Sequence, residues 1–186
     1  MPYLTKSLLS SSLVAALLLV IVPGFATAEA STHGSRAISE QLSDIQRHAY
    51  DVRREADTLM SMTMNKNLSW QSHAYRLNQL KDQVNQMGRS LAELEQQKSS
   101  ASQMQILAMD ETRSQLQLVA AQLSRAIELV NEDRRSVHQQ DYGQAVTQLS
   151  DHAEVMHTQL DTILEYDKAS KRFDRLELPS PVFGQS

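Results

Sequence analysis

The sequence predicts an all-α protein, an antiparallel four-helix bundle with up-down-up-down connections and coiled-coil-like packing. Apolar residues recur alternately four and three positions apart, which is the pattern of helices that pack along their length. Four such seams are separated by short polar segments, as in a bundle of antiparallel neighbours. No segment reads as a strand, and aromatic residues make up only 5% of the 186 residues, so we expect an aliphatic core.

The first 28 residues are predicted to be a cleaved signal peptide. Lys6 lies in a positively charged start, an unbroken apolar run covers residues 13–22, and Ala26-Thr27-Ala28 is a small-x-small cleavage site. The apolar run is too short for a comfortable membrane span. We therefore expect export through the general secretory route, with a mature chain that begins at Glu29 and is periplasmic or extracellular. An uncleaved membrane anchor is the alternative.

The first helix of the bundle is predicted over residues 35–64. Residues 29–34, which precede it, are small and polar and are expected to form a flexible leader. The seam of this helix consists of Ile38, Leu42, Ile45, Ala49, Val52, Ala56 and Leu59.

The second helix is predicted over residues 70–97, with Asn67 or Ser69 as its N-cap. Gly88 inside it costs about 1 kcal/mol relative to alanine, which indicates a close approach of two helices. His73 is the one seam position that is not apolar. The whole seam is Trp70, His73, Leu77, Leu80, Val84, Met87, Leu91 and Leu94.

The third helix is predicted over residues 102–137, after a break near Ser100 where the seam changes phase. A single continuous helix with a stutter is the alternative. Leu118 and Leu129 fall outside the apolar face, which indicates contact with a second neighbour or with another copy of the chain. The seam itself is Met109, Thr112, Leu116, Val119, Leu123, Ala126 and Val130.

The fourth helix is predicted over residues 142–174, with Asp141 as its N-cap and Gln144 completing a capping box. Pro179 and Pro181 end all helix, so the bundle spans residues 35–176 and residues 177–186 form a tail. The seam residues are Val146, Leu149, Ala153, Met156, Leu160 and Ile163.

Composition and motifs argue against most function classes. The formal net charge is −4 and basic residues are scattered, whereas nucleic-acid binding requires a basic stripe. The chain has no cysteine, which excludes disulfides, thiolate metal sites and covalent c-type haem. Only one Glu-x-x-His motif occurs, at residues 154–157, and a di-iron site needs two. No catalytic motif and no second apolar segment is found, so we expect no enzyme activity and no membrane association after signal cleavage.

A cluster at the first turn is the one candidate site. The segment Met60-Ser61-Met62-Thr63-Met64 precedes Trp70 and His73, and a hairpin of the first two helices places His73 opposite Met60. Thioethers and an imidazole suit Cu(I) or Ag(I), and a tryptophan face attracts a cation. Residues 60–73 resemble periplasmic copper and silver chaperones in combining methionine, histidine and tryptophan. The resemblance implies a soft-metal site with Met60, Met62 and His73 as ligands and Trp70 adjacent.

Packing is the simpler interpretation of the same residues, because methionine fills irregular gaps in helical cores. The expected function is therefore that of an exported, non-enzymatic helical bundle without a cofactor. Such a protein acts through protein partners or self-association on its helical faces, in a structural or chaperone-like role. The alternative is a Cu(I)- or Ag(I)-binding protein that uses the cluster at the first turn.

Overall fold

The computed structural model describes residues 27–176, and side chains within residues 34–173. Four α-helices form this region: α1 (Thr27–Thr63), α2 (Trp70–Gln96), α3 (Gln103–Glu132) and α4 (Gln140–Leu176). Short 3-10 helices occupy Lys98–Ser100 and Arg134–His138 in the second and third connections. No strand occurs in the described region, and the arrangement is consistent with a helical bundle, as the seams predicted.

All of the seam side chains are buried except Trp70, which is half-buried and packs against the core. The apolar residues among them form one continuous cluster shared by the four helices. His73 and Thr112 are the polar members of the seams, and both are fully buried. Burial of apolar surface along four whole helices is therefore the main stabilising contribution to this fold.

Each helix packs along the next one in the chain, and α1 also packs along α4. Contacts between α1 and α3 are few, so these two helices are not neighbours. Polar contacts fix which parts of the helices lie side by side. Three of them are the pairs Arg76–Glu55, Arg113–Glu95 and Lys171–Ser35. In each pair, one residue lies in the first half of its helix and the other in the second half of its own.

The chain breaks between α2 and α3 at the position where the seam changes phase. Ala101 and Ser102 are extended, and the Ser102 hydroxyl accepts a hydrogen bond from the Gln105 backbone N–H over 3.2 Å. The Gln105 side chain accepts one from the Ser102 backbone N–H over 2.9 Å, which completes a capping box. This reciprocal cap starts a new helix, so α2 and α3 are not one continuous helix with a stutter.

A buried polar network surrounds Gln105. Its side-chain nitrogen donates to the Ser35 carbonyl oxygen and to the Ser39 hydroxyl. Ser102 donates in turn to Asp167, a buried carboxylate that also pairs with Lys171 over 2.5 Å. The network joins the first part of α1, the start of α3 and the last part of α4. A buried glutamine is tolerated here because its amide is hydrogen-bonded.

The helix boundaries at the third connection differ from the prediction. α3 ends at Glu132 rather than near residue 137, because the Asp133 carboxylate accepts the Arg135 backbone N–H and starts a 3-10 helix. α4 begins at Gln140, so Asp141 lies inside its first turn and does not serve as the predicted N-cap. An acidic side chain in the first turn still stabilises the helix through the helix dipole.

Helix α1 begins before the predicted start. It extends from Thr27 and replaces the flexible leader expected for residues 29–34. Alanine and glutamate, which occupy positions 28–30, are strong helix formers, so the helix has no local reason to start later. The predicted signal peptide lies outside the described residues except for Thr27 and Ala28. The predicted tail at residues 177–186 also lies outside them.

One further expectation about packing is wrong. A Cβ atom built on Gly88 would meet no described atom within 4 Å, so this glycine does not mark a close approach of helices. Leu129 is buried in the core cluster, in agreement with the predicted contact of this residue with a second neighbour. Leu118, by contrast, is exposed. No helix in residues 27–176 is long and apolar enough to cross a membrane.

Candidate functional site

The connections α1–α2 and α3–α4 lie at the same end of the molecule. His138, in the 3-10 helix after α3, contacts the Thr63 carbonyl oxygen at the end of α1 over 3.2 Å. His73 in the first turns of α2 contacts Tyr142 in the first turn of α4. We refer to the group His73, His138 and Tyr142 as the histidine cluster. It gathers residues that lie up to 69 positions apart in the sequence.

His73 is fully buried inside this cluster. Its Nδ1 atom lies 3.1 Å from the Tyr142 hydroxyl oxygen, and the two rings meet edge to face with centroids 5.5 Å apart. Its Nε2 atom is buried as well and has no hydrogen-bond partner among the described residues. Burial, together with the charges of His138 and Arg76, lowers the pKa of His73 to about 4. The ring is therefore neutral near pH 7, with a proton on one of its two nitrogens and a lone pair on the other.

Tyr142 is fully buried with His73, and burial raises the pKa of its phenol above the usual value. The phenol stays protonated, so it can either donate to Nδ1 or accept from it. The hydroxyl of Tyr142 thus fits both tautomers of the neutral imidazole. Which nitrogen of His73 is protonated therefore depends on the group that contacts Nε2.

His138 is exposed and lies beside His73, with ring centroids 6.1 Å apart and planes at 84°. A carbonyl oxygen only accepts, so the contact with Thr63 places the proton of neutral His138 on Nδ1. The Nε2 atom of this ring then carries a lone pair. Two imidazoles with Nε2 atoms not used by the described hydrogen bonds therefore lie next to each other at this end of the molecule.

Trp70 lies one turn before His73 and covers the neighbouring surface. It is half-buried, and the Arg134 guanidinium lies over its ring, 4.4 Å from the ring centroid. The cation that the tryptophan faces is therefore an arginine of the same chain, in a cation–π contact. The contact joins the start of α2 to the 3-10 helix that carries His138.

The three methionines near the end of α1 point to different places. Met60 lines a surface groove of about 460 Å³ together with His138 and Thr147. Its sulfur lies 3.7 Å from the Thr63 hydroxyl oxygen and 4.0 Å from that of Thr147. Met62 is buried and lines a different groove of about 540 Å³, beside Arg76. Met64 is 80% exposed.

The predicted metal ligands Met60, Met62 and His73 are thus brought to one end of the molecule but not to one groove. Residues two positions apart on a helix face nearly opposite directions, which separates Met60 from Met62. Neither His138 nor Tyr142 was among the predicted site residues. The signal that could have found them is the antiparallel topology itself, since it places the third connection beside the first.

The commonest metal-binding side chains do not gather here or elsewhere in the described residues. No group of three or more histidine, cysteine, aspartate or glutamate side chains within residues 34–173 could hold a metal ion. Any ion at the histidine cluster would therefore rely on the two imidazoles and on neutral sulfur or oxygen atoms.

Comparison with known proteins finds no family model, no curated protein and no solved structure that matches this chain.

Proposed function

We propose that this protein is an exported, non-enzymatic helical bundle that acts through protein contacts, in a structural or chaperone-like role. The proposed fold in detail is an antiparallel up-down-up-down bundle with coiled-coil-like packing, after a cleaved signal peptide. The contacts between first and second halves of neighbouring helices support this topology. The location is periplasmic or extracellular, and neither nucleic acid nor a membrane surface is among the proposed partners.

The observation that carries this proposal is a set of three exposed apolar side chains on α3 and α4, those of Leu107, Leu118 and Val155. Each of these side chains is 40–43% exposed although the core beneath them is complete. Leu107 and Leu118 are eleven residues apart, three helical turns, so they share one face of α3. Val155 lies one turn before Thr158, which lines the same groove as Leu107. Exposed apolar side chains on neighbouring helices offer apolar area to a protein partner.

Light scattering on the protein purified after expression of the full chain tests the proposal, together with suppression of aggregation of a chemically unfolded client. We expect an oligomer or measurable client binding, and the double variant Leu107→Gln with Leu118→Gln should reduce it. The matched control exchanges two exposed apolar residues elsewhere, Met64→Gln with Tyr75→Gln, and should retain the activity. A strict monomer that binds no unfolded client would contradict the proposal.

A second candidate function is soft-metal binding, with Cu(I) or Ag(I) as the ion. The specific observation that favours it is the buried Nε2 atom of His73, which no described group satisfies. Titration with Cu(I), followed by the fluorescence of Trp70, tests this function directly. We expect quenching at micromolar metal, because the tryptophan lies one turn from His73. An unchanged emission spectrum would remove soft-metal binding as a function.

A further inference from the structure

The histidine cluster contains a buried polar atom that the fold alone does not explain. The Nε2 atom of His73 is buried, and a buried polar atom without a hydrogen-bond partner destabilises the folded state. In native structures such an atom usually has a partner, which can be a protein group, a water molecule or an ion. A second imidazole, that of His138, lies beside this ring, with the two centroids 6.1 Å apart.

We propose that His73 and His138 together bind one soft monovalent metal ion through their Nε2 atoms, with the Met60 thioether as a further ligand from the adjoining groove. This inference rests on the second candidate function and replaces its ligand set. His138 takes the place of Met62, which lines a different groove beside Arg76. Met60 lines the same groove as His138.

The separation of the two rings fits a shared ion. Nitrogen–metal bonds of about 2 Å place the centres of two imidazoles on one ion roughly 5–6.5 Å apart, depending on the angle at the metal. The observed separation of the centroids is 6.1 Å. His138 is exposed and lines the groove together with Met60, so the ion enters the proposed site from that side.

Both imidazoles form a hydrogen bond through Nδ1, which orients the ring and leaves Nε2 for a metal ion. The Thr63 carbonyl oxygen accepts from Nδ1 of His138, and the Tyr142 hydroxyl accepts from Nδ1 of His73 when Nε2 binds the ion. A hydrogen bond from the second ring nitrogen is the usual way in which proteins orient a metal-binding histidine. Thr63 also contacts the sulfur of Met60 through its hydroxyl group, over 3.7 Å.

Charge and donor chemistry select the class of ion. The site offers two neutral nitrogens and one thioether, and Arg76 is close enough to lower the pKa of His73. A divalent ion without an anionic ligand is expensive to bury, because the desolvation cost rises with the square of the charge. Soft sulfur and imidazole ligands favour Cu(I), and by the same argument Ag(I).

The test is an Ag(I) titration of the protein purified after expression of the full chain, followed by Trp70 fluorescence and by the ring-nitrogen NMR shifts of the histidines. His138→Gln keeps a donor for the Thr63 carbonyl oxygen and should weaken binding at least about tenfold. Met60→Leu should weaken it several-fold, and Met62→Leu should leave it unchanged. Zn²⁺ should bind at least about tenfold more weakly than Ag(I).

His157→Gln is the matched control for His138→Gln. His157 also directs Nδ1 to a backbone carbonyl oxygen, that of Gln46, over 3.3 Å, but its ring faces Tyr50 rather than a histidine. This variant should bind Ag(I) within about twofold of the wild type, and circular dichroism establishes that both variants are folded. Binding that survives His138→Gln but is lost in Met62→Leu would overturn this ligand set and leave soft-metal binding standing. If neither Ag(I) nor Cu(I) binds, both the ligand set and soft-metal binding as a function are overturned. If Zn²⁺ binds more tightly than Ag(I), the choice of a soft monovalent ion is overturned.

Discussion

The Nδ1 atom of His73 and the hydroxyl oxygen of Tyr142 lie 3.1 Å apart in the core and join the start of α2 to the start of α4. Both side chains are fully buried, and the Tyr142 hydroxyl is the hydrogen-bond partner that the described residues provide for the imidazole. Because the two helices are not joined by a connection of their own, this hydrogen bond fixes their relative height at the histidine cluster. It acts there together with the His138–Thr63 contact and the Arg134–Trp70 contact.

Tyr142→Phe should lower the free energy of unfolding by about 1–3 kcal/mol, because both ring nitrogens of His73 are then buried without a described partner. Urea unfolding of the metal-free protein at pH 7.5 measures the change. Tyr166→Phe, at a 61% exposed phenol, is the control and should change stability little. Adding His73→Leu to Tyr142→Phe should recover part of the loss, since an apolar pair needs no hydrogen bond. Equal effects of both tyrosine variants would contradict the role of this contact.

Acid should destabilise the metal-free protein through His73. Burial first, and then the charges of His138 and Arg76, lowers the folded-state pKa from the usual 6.5 to about 4. Between these two pH values the unfolded chain binds a proton that the folded chain does not, so stability falls as the pH decreases. The stability is fully present above pH 6.5, and the loss amounts to about 3 kcal/mol once the pH reaches 4.

Urea unfolding of wild type and His73→Leu at several pH values between 7.5 and 4 isolates this contribution. Other groups titrate in the same range, but they are common to both proteins, so the difference in unfolding free energy reports His73. We expect the difference to shift in favour of the variant as the pH falls below 6.5 and to level off below 4. Parallel curves for the two proteins would show that His73 keeps an ordinary pKa in the folded state.

The seams were predictable because periodic burial is a local property of the sequence. A residue such as Leu42 or Leu149 reveals its orientation through neighbours three and four positions away, and no knowledge of the other helices is needed. The α2–α3 break was equally local, since Ser102 and Gln105 form a capping box within four residues. The end of α3 was missed because Asp133 captures the Arg135 N–H, and this competes with a helical pattern that continues in the sequence.

The histidine cluster could be predicted only in part. His73 stood out because a histidine in an apolar seam needs a partner, but its partner Tyr142 lies 69 positions away on another helix. The approach of His138 likewise depends on how the third connection folds back over the first. Met62 was wrongly grouped with Met60 by closeness in sequence, although the helix directs the two side chains into separate grooves. Contacts between distant segments are decided by tertiary packing, which periodicity does not encode.

Gly88→Ala should raise the free energy of unfolding by about 0.5–1 kcal/mol. The added Cβ meets no described atom within 4 Å, so the variant gains helix propensity and loses nothing in packing. Ala92→Gly, one turn further along the same groove, is the matched reverse change and should lower stability by a similar amount. Thermal or urea unfolding measures both. A destabilised Gly88→Ala protein would indicate that another chain occupies the space beside this glycine.

Ser102→Ala should lower the free energy of unfolding by about 1 kcal/mol, because the alanine cannot accept the Gln105 N–H at the start of α3. The substitution also removes the 3.2 Å hydrogen bond that the Ser102 hydroxyl donates to the Asp167 carboxylate in the buried network around Gln105. Ser69 supplies the control, since it occupies the N-cap position of α2 without a side-chain capping hydrogen bond. Ser69→Ala should therefore change stability by only a few tenths of a kcal/mol. If the two variants unfold at the same urea concentration, the capping box contributes nothing to the break between α2 and α3, and the change of seam phase alone must separate the two helices.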